Sequence, residues 1–345
     1  MDKPNPDHRS PKTDHQSRIT DKFNRVHDYL RISLTERCNL RCSYCMPAEG
    51  IQLRPRSEFM TAEEVIKMAE IFVSLGVKKI RLTGGEPLVR KDAEEIITGL
   101  SQLPVELAIS TNGILVDKYI ETFKSCGLKS INVSLDSLKK EKFNTITRRD
   151  HFDEIMSNIN LLMKNDFHIK INVVLIKGVN DDEICDLVEW MRDKNIHVRF
   201  IEFMPFEGNK WDWSKGISFK DIMTKIESRY GDNVMKLKDG KNDTAKSYSI
   251  KNYKGTFAII SSVTNPFCDT CNRMRLTADG KIKNCLFSGT ETDLLSAMRN
   301  GKDIIPMILE SIWNKKAVRG GMNSFEDFSD PSKNQKNRSM ISIGG

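Results

Sequence analysis

The 345 residues exceed what one typical domain needs, but they suit a single α/β barrel with an appendage. A hydrophobic fraction of 39% and a charged fraction of 29% describe an ordinary globular chain whose core needs no disulfide staples. The net charge of +7 is mild: it suits a phosphorylated small molecule without requiring nucleic acid, and no apolar run approaches the ~18–20 residues of a membrane span.

Residues 1–22 are rich in Asp, Lys, His, Pro and Ser and carry neither a secretory signal nor an anchor, so a disordered leader is expected. Without export, the cytoplasm is the default, and clustered thiols there point to metal or catalysis. From Tyr29 to Phe203, strand-like runs alternate with helix-patterned ones. The strands are Leu30–Leu34, Lys79–Thr83, Val105–Ser110, Ser130–Ser134, Ile169–Val174 and His197–Phe203. Between them, Thr61-Ala62-Glu63-Glu64 reads as a capping box. Further helices are expected at Ala93–Leu100, Lys118–Ser125, Phe152–Lys164 and Asp182–Lys194. Such a series argues for a parallel sheet, either a partial barrel or a doubly wound one. After Met204-Pro205 the pattern breaks at a Trp- and Gly-containing loop. A smaller C-terminal region follows, with a helix near Ser218–Ser228, hairpin-like runs at Ser247–Tyr253 and Thr256–Ile260, and helices near Leu294–Arg299 and Asp303–Trp313. The Gly-Gly end reads as a flexible tail.

Cys38, Cys42 and Cys45 form C-x3-C-x2-C directly after the first strand. Thiolates are the preferred ligands of iron–sulfur clusters, and three of them leave a fourth iron open. Zinc competes, but a structural zinc site is closed by four ligands and no fourth Cys or His lies nearby. Cys268, Cys271 and Cys285 form a second trio, C-x2-C-x13-C, for which a zinc knuckle or a second incomplete [4Fe–4S] cluster is possible. Cys126 and Cys185 lie on helical segments and read as packing residues.

The run Arg37-Cys38-Asn39-Leu40-Arg41-Cys42-Ser43-Tyr44-Cys45-Met46-Pro47 resembles the signature loop of the radical S-adenosylmethionine superfamily. That resemblance implies a cluster whose open iron chelates the methionine end of S-adenosylmethionine and whose electron generates a 5′-deoxyadenosyl radical. Thr83-Gly84-Gly85-Glu86-Pro87, alone no more than a tight turn, then resembles the superfamily's methionine-binding motif. The same resemblance implies cofactor contacts at Tyr44, Gly85, Ser134 and Met204. All of these lie in loops or strand ends where parallel α/β folds place their sites.

The segment from Cys268 to Leu286, with Arg273-Met274-Arg275 between its cysteines, and the Gly344-Gly345 end resemble the GTP 3′,8-cyclases of molybdenum-cofactor biosynthesis. This likeness runs from about Phe23 to the end of the chain. It implies conversion of GTP to 3′,8-cyclo-7,8-dihydro-GTP, with S-adenosylmethionine and two [4Fe–4S] clusters as cofactors. GTP contacts are implied at Arg31, Arg81, Ser110, Lys170, Arg273, Met274 and Arg275, and catalytic parts for Arg273, Arg275, Gly344 and Gly345. Arg319 is given no role beyond a tail-guiding contact. A flavodoxin- or ferredoxin-type reductant, a downstream cyclic pyranopterin monophosphate synthase and a homodimer are expected, with no membrane or nucleic-acid partner. The fold expected is an incomplete (β/α)6 TIM-type barrel at residues 23–205. A smaller C-terminal α+β region at 206–335 closes its open side, and a flexible tail follows at 336–345. Two alternatives stay open: a radical S-adenosylmethionine peptide-modifying enzyme with an auxiliary cluster, and a zinc-ribbon nucleic-acid-binding protein.

Overall fold

A computed structural model describes residues 18–52, 54–209, 211–324, 326–330 and 337–344. Six parallel strands form its centre: β1 (Tyr29–Ser33), β2 (Lys79–Thr83), β3 (Glu106–Thr111), β4 (Ser130–Ser134), β5 (His168–Leu175) and β6 (Ile196–Glu202). They lie side by side in chain order, with no reversal of the kind a doubly wound sheet requires. Right-handed crossovers between neighbours then carry the connecting helices to one face. These are α1 (Ala62–Ser74), α2 (Ala93–Ser101), α3 (Val116–Ser125), α4 (Lys140–Thr147), α5 (Phe152–Lys164) and α6 (Ile184–Trp190). The capping box is present: Thr61 Oγ1 accepts from Glu64 N–H at 3.3 Å, and the Glu64 carboxylate accepts from Thr61 N–H at 2.8 Å. Helix α4 had no counterpart in the sequence reading.

Alternation along the strands separates two environments. Leu30 and Ile32, Ile80 and Leu82, Ile131 and Val133, and Val198 and Phe200 are buried in one apolar core with the helices. The intervening residues, such as Arg31, Arg81, Asn132, Lys170 and Arg199, are polar and line a cavity of about 650 Å³ on the other face. Parallel strands are usually apolar on both faces. Here the polar face exists because it surrounds a polar cavity.

The smaller C-terminal α+β region adds its strands to both edges of the same sheet. After α7 (Phe219–Tyr230), β7 (Val234–Lys236), β8 (Lys246–Ile250) and β9 (Thr256–Ile260) extend the sheet beyond β6. β10 (Arg273–Leu276), β11 (Lys281–Lys283) and β12 (Thr292–Asp293) extend it beyond β1. β9 pairs with β6 and β10 with β1, both in parallel, giving one twelve-stranded sheet among the described residues. The physical reason is the unpaired backbone at each edge of the six-stranded centre, which these strands satisfy. Helices α8 (Leu294–Arg299), α9 (Ile305–Trp313), α10 (Glu326–Ser329) and α11 (Met340–Ile343) complete the chain.

Both chain ends depart from expectation where they are described. Residues 18–22 are packed rather than disordered: Ile19 and Asp21 are buried, and Thr20 bridges to Val26. The rest of the expected leader, residues 1–17, lies outside the described residues. The expected flexible tail is packed over residues 337–344, because Ile341 and Ile343 give it two buried apolar anchors. Ile343 joins a second apolar cluster with Phe206, Val263, Phe287, Met322 and Phe328.

Candidate active site

The loop after β1 carries Cys38, Cys42 and Cys45, all free thiols facing the cavity. Its backbone is pinned on α4, with Arg41 N–H donating to the Thr147 carbonyl and Ser43 N–H to that of Ile146, both at 2.9 Å. Gly84 and Gly85, following β2, lie directly against it. A Cβ on Gly84 would stand 2.7 Å from the Thr35 carbonyl oxygen, and one on Gly85 would collide with that of Arg37. Gly85 N–H donates to the Thr35 carbonyl at 2.7 Å, and Glu86 N–H to that of Arg37 at 2.8 Å. The glycine pair thus admits the cysteine loop itself.

Carboxylates surround these thiols. Buried Glu86 accepts from Leu88 N–H (3.0 Å), the Thr111 hydroxyl (2.8 Å) and Asn112 N–H (2.6 Å), and burial pushes its carboxyl up to about 7. Asp136, beyond β4, accepts from the Tyr44 hydroxyl (2.7 Å) and Val174 N–H (2.8 Å), and burial pushes it up to about 6. As free thiols, Cys38 is pushed up to about 11 by burial and then by Glu86, and Cys45 to about 12 by burial and then by Cys38. Tyr44, Gly85, Ser134 and Met204 all face the cavity, while the Met204 carbonyl accepts from Asn209 Nδ2 at 2.8 Å.

The inner face of the sheet is a floor of cations. Register places Arg31 beside Arg81 on β2 and beside Arg275 on β10, with Tyr29 beside Arg273. Asn172 on β5 stands beside Arg199 on β6. Arg31 Nε, Arg199 Nε and Arg273 Nη1 are buried without a hydrogen-bond partner. Burial pushes Arg31 down to about 10, and burial with neighbouring Arg81 pushes Arg199 down to about 9. Lys170 falls to about 8, through burial first and then Arg199 and Arg81. Burial opposes it, but Arg81 and Arg31 bring the Tyr29 phenol down to about 7. Guanidinium groups keep their charge in such surroundings, so the floor holds uncompensated positive charge and calls for a polyanion.

Not every expected contact is equal. Arg81 spends its donors on the protein: the Tyr29 hydroxyl at 2.6 Å, the Ile109 carbonyl at 2.7 Å and Ser130 Oγ at 3.4 Å. Ser110 lines the cavity and accepts from Asn132 Nδ2 at 3.3 Å. Met274 points away from the cavity. Alternation turns it away from Arg273 and Arg275, and its side chain is fully buried in the apolar core. Arg199, Tyr29 and Asn172 were not singled out from sequence. The available signal was a polar residue at alternate positions of otherwise apolar strands.

Cys268, Cys271 and Cys285 face the same cavity as free thiols. Their neighbours are cationic. Lys315 Nζ lies 3.5 Å from Cys271 Sγ, and Arg319 N–H donates to Cys268 Sγ at 3.4 Å. Burial would raise Cys271, but Lys315 and Arg273 hold it below the ordinary thiol value, whereas burial raises Cys268. Arg319 lies over the Phe328 ring, which packs with Ile343 of the tail. Its guanidinium binds the carbonyls of Met322, Val263 and Asn323, which fixes the loop beside Cys268. Among the described residues, no three His, Cys, Asp or Glu side chains stand close enough to hold a single metal ion. A four-iron cluster spreads its thiolates over the corners of a cube, wider than the ligand shell of one ion.

The tail enters this site. The Gly344 carbonyl accepts from Arg275 Nη1, and a Cβ on Gly344 would collide with the Thr83 hydroxyl. Ile341 packs against Gly85, and Met340 lines the cavity. Gly345 lies outside the described residues.

Comparison with known proteins follows the same division of the chain. Residues 32–191 match the Radical SAM superfamily, and residues 196–320 match Molybdenum Cofactor Synthesis C. The chain is 46% identical over 326 residues to the mitochondrial GTP 3′,8-cyclase of Arabidopsis thaliana, covering 93% of this chain and 82% of that one. It is 40% identical over 322 residues to the GTP 3′,8-cyclase of Alkaliphilus oremlandii, covering 92% and 97%. Molybdenum cofactor biosynthesis protein 1 of Drosophila melanogaster is 46% identical over 296 residues, and the match spans 52% of that longer protein. Among solved structures, Streptococcus suis SuiB bound to S-adenosylmethionine superposes with a TM-score of 0.59 at 17% identity, covering 88% of this chain and 68% of that one. That last likeness is one of fold.

Proposed function

The chain belongs to the GTP 3′,8-cyclase family within the radical S-adenosylmethionine superfamily, and from that membership we propose how its own residues carry the reaction. It is an enzyme of molybdenum-cofactor biosynthesis that closes GTP into 3′,8-cyclo-7,8-dihydro-GTP, using S-adenosylmethionine and a [4Fe–4S] cluster. Neither alternative reading is favoured.

Cys38, Cys42 and Cys45 fit the first cluster, as three free thiols on one pinned loop. Held there, the cluster and S-adenosylmethionine would supply the radical chemistry that the hydrogen removal from C3′ of GTP requires. Gly85, Ser134, Tyr44 and Met204 hold the cofactor, with Asp136 fixing the Tyr44 ring. Arg31, Lys170, Arg199 and Arg273 receive the triphosphate on their unpaired charge, with Ser110 as a polar contact and Arg81 aligning Tyr29. Cys268, Cys271 and Cys285, three free thiols on one cavity, would hold a second [4Fe–4S] cluster, which would supply a binding point for the guanine of GTP. Arg275 holds the Gly344 carbonyl, so that Gly344 closes the cavity beside the reacting ribose; a catalytic part is assigned to Gly344 together with Gly345. Orientation matters most here, because a radical takes whichever hydrogen is nearest.

The six parallel strands are read as an incomplete (β/α)6 barrel spanning residues 23–205. The C-terminal region (206–335) and tail (336–345) shield its open side. No helix among the described residues is long and apolar enough to cross a membrane. A cytoplasmic setting, a flavodoxin- or ferredoxin-type reductant, a downstream cyclic pyranopterin monophosphate synthase and a homodimer complete the reading.

One observation carries it: both cysteine trios and the unpaired guanidinium groups line a single cavity. Anaerobic incubation of the reduced, cluster-loaded enzyme with GTP and S-adenosylmethionine tests it. The cyclised nucleotide and 5′-deoxyadenosine should accumulate together. If 5′-deoxyadenosine forms while GTP is untouched, the substrate assignment fails.

A further inference from the structure

Lys315 follows α9 by two residues and is 2% exposed. Its ammonium has three donors, and three acceptors surround it: His27 Nε2 at 2.9 Å, the Arg273 carbonyl at 3.0 Å and Cys271 Sγ at 3.5 Å. Burial and the adjacent Lys315 hold His27 well below its ordinary value, so its ring is neutral and Nε2 accepts. Among the described residues, no carboxylate pairs with Lys315. Asp21, behind His27 at 3.7 Å, is already taken by Arg25 Nε at 2.6 Å. A buried ammonium without a counter-charge is costly. The one partner here able to become an anion is the sulfur of Cys271.

The surroundings hold this arrangement firmly. Arg25 Nη1 donates to the carbonyls of Cys268 and Ala317, both at 2.8 Å, and Nη2 to that of Lys316 at 2.9 Å. The N-terminal turn, the second cysteine loop and the segment carrying Lys315 are thereby locked together. At Cys268 the sulfur meets a neutral backbone amide, that of Arg319. At Cys271 it meets a full positive charge.

We propose that Lys315 is a positioning residue for the second cluster, its fixed charge on Cys271 favouring the reduced form of that cluster. This rests on the second-cluster reading given above. Adding an electron makes the cluster one charge more negative, so a cation held at a ligand sulfur raises the reduction potential. Lys315 sets how readily the substrate-side cluster accepts an electron, while leaving the radical-generating cluster alone.

Redox titration of the holoenzyme, followed by electron paramagnetic resonance, tests this in wild type, Lys315→Met and Lys315→Arg. The first cluster is identified by its response to S-adenosylmethionine. In Lys315→Met the second cluster should become at least ten-fold harder to reduce, equivalent to about 59 mV for one electron. The first should be unmoved, and Lys315→Arg should lie closer to wild type. Equal second-cluster potentials in wild type and Lys315→Met overturn the proposal, as do equal shifts in the two variants. If Lys315→Met fails to retain the cluster, wild type enriched in 15N-lysine replaces it. The reduced second cluster should then show coupling to a lysine nitrogen, and its absence also overturns the proposal. Wild type holding about four irons rather than about eight removes the second-cluster reading itself, which the iron count distinguishes from a failure of Lys315.

Discussion

The loop of Cys38, Cys42 and Cys45 and the loop of Cys268, Cys271 and Cys285 present the same number of thiols to one cavity, but the ionisable groups beside them differ. Beside the first stand Glu86 and Asp136, two buried carboxyls, and the tyrosine ring of Tyr44. Beside the second stand Lys315, Arg273 and the Arg319 amide. Negative surroundings oppose adding an electron and positive ones favour it. The cations beside the second loop therefore suit it to holding an electron-rich partner. The cationic floor continues from the second loop through Arg273 and Arg275 into β1, so polyanion and second loop share one electrostatic field.

The largest expected effect breaks the comparison outright. Cys38→Ser should abolish 5′-deoxyadenosine formation while about four irons remain, held by the second trio. Cys271→Ser should also leave about four irons, yet 5′-deoxyadenosine should still form and the cyclised nucleotide should not. Iron analysis with chromatography of both products reads the pair. Loss of radical formation in both variants would merge the two loops into one functional unit.

Gly85→Ala probes the first loop and the tail packed against it. The added methyl meets the Arg37 carbonyl and, at 2.9 Å, Ile341 Cγ1, so backbone must shift at ~1–3 kcal/mol. We expect ~10-fold or greater loss of 5′-deoxyadenosine formation, with the second loop's iron retained. Arg199→Ala probes the floor on the other side. One charged hydrogen bond is worth ~1.5–3 kcal/mol, so GTP binding should weaken ~10- to 100-fold while S-adenosylmethionine binding is unchanged. Arg81→Ala should instead lower stability, since its donors serve Tyr29, Ile109 and Ser130. Calorimetric GTP titration and thermal unfolding separate the two.

Much of this was legible in the sequence, and the remainder was hidden for definable reasons. The strands of β1 to β6 and the capping box at Thr61 follow from local pattern, which is why their positions agree within a residue or two. Cysteine spacing likewise exposed both loops. Arg199 escaped because a lone Arg in a strand looks like any solvated charge until Asn172 and Arg81 are placed beside it. The burial of the Met274 side chain follows from strand alternation, which sends neighbours to opposite faces. The chain ends were misread as loose because Ile19, Ile341 and Ile343 are too sparse to form a periodic pattern. Their anchoring partners lie far away in sequence, as Phe206 and Phe287 do for Ile343.

The smallest expected effect concerns Asp279, which joins the two loops. It sits 5% exposed between β10 and β11 and accepts both Arg338 nitrogens, at 2.9 and 2.8 Å, and Arg54 Nη1 at 3.0 Å. Arg338 belongs to the tail, and Arg54 in turn reaches Glu36, two residues before Cys38, at 2.5 Å. Burial alone would raise the Asp279 carboxyl, but Arg338, Arg54 and Thr277 hold it well below the usual carboxylate range. A depressed folded value means the contribution is fully present above the unfolded value of about 4 and is lost only as pH falls below it. Asp279→Asn should therefore cost ~1–3 kcal/mol locally, by the same amount at pH 6 and pH 8. Hydrogen exchange across residues 337–344 should accelerate correspondingly, and cyclisation should fall several-fold with 5′-deoxyadenosine formation retained. If exchange in the tail is unchanged, Gly344 is held by Arg275 and the apolar anchors alone, and the two loops are not coupled through Asp279.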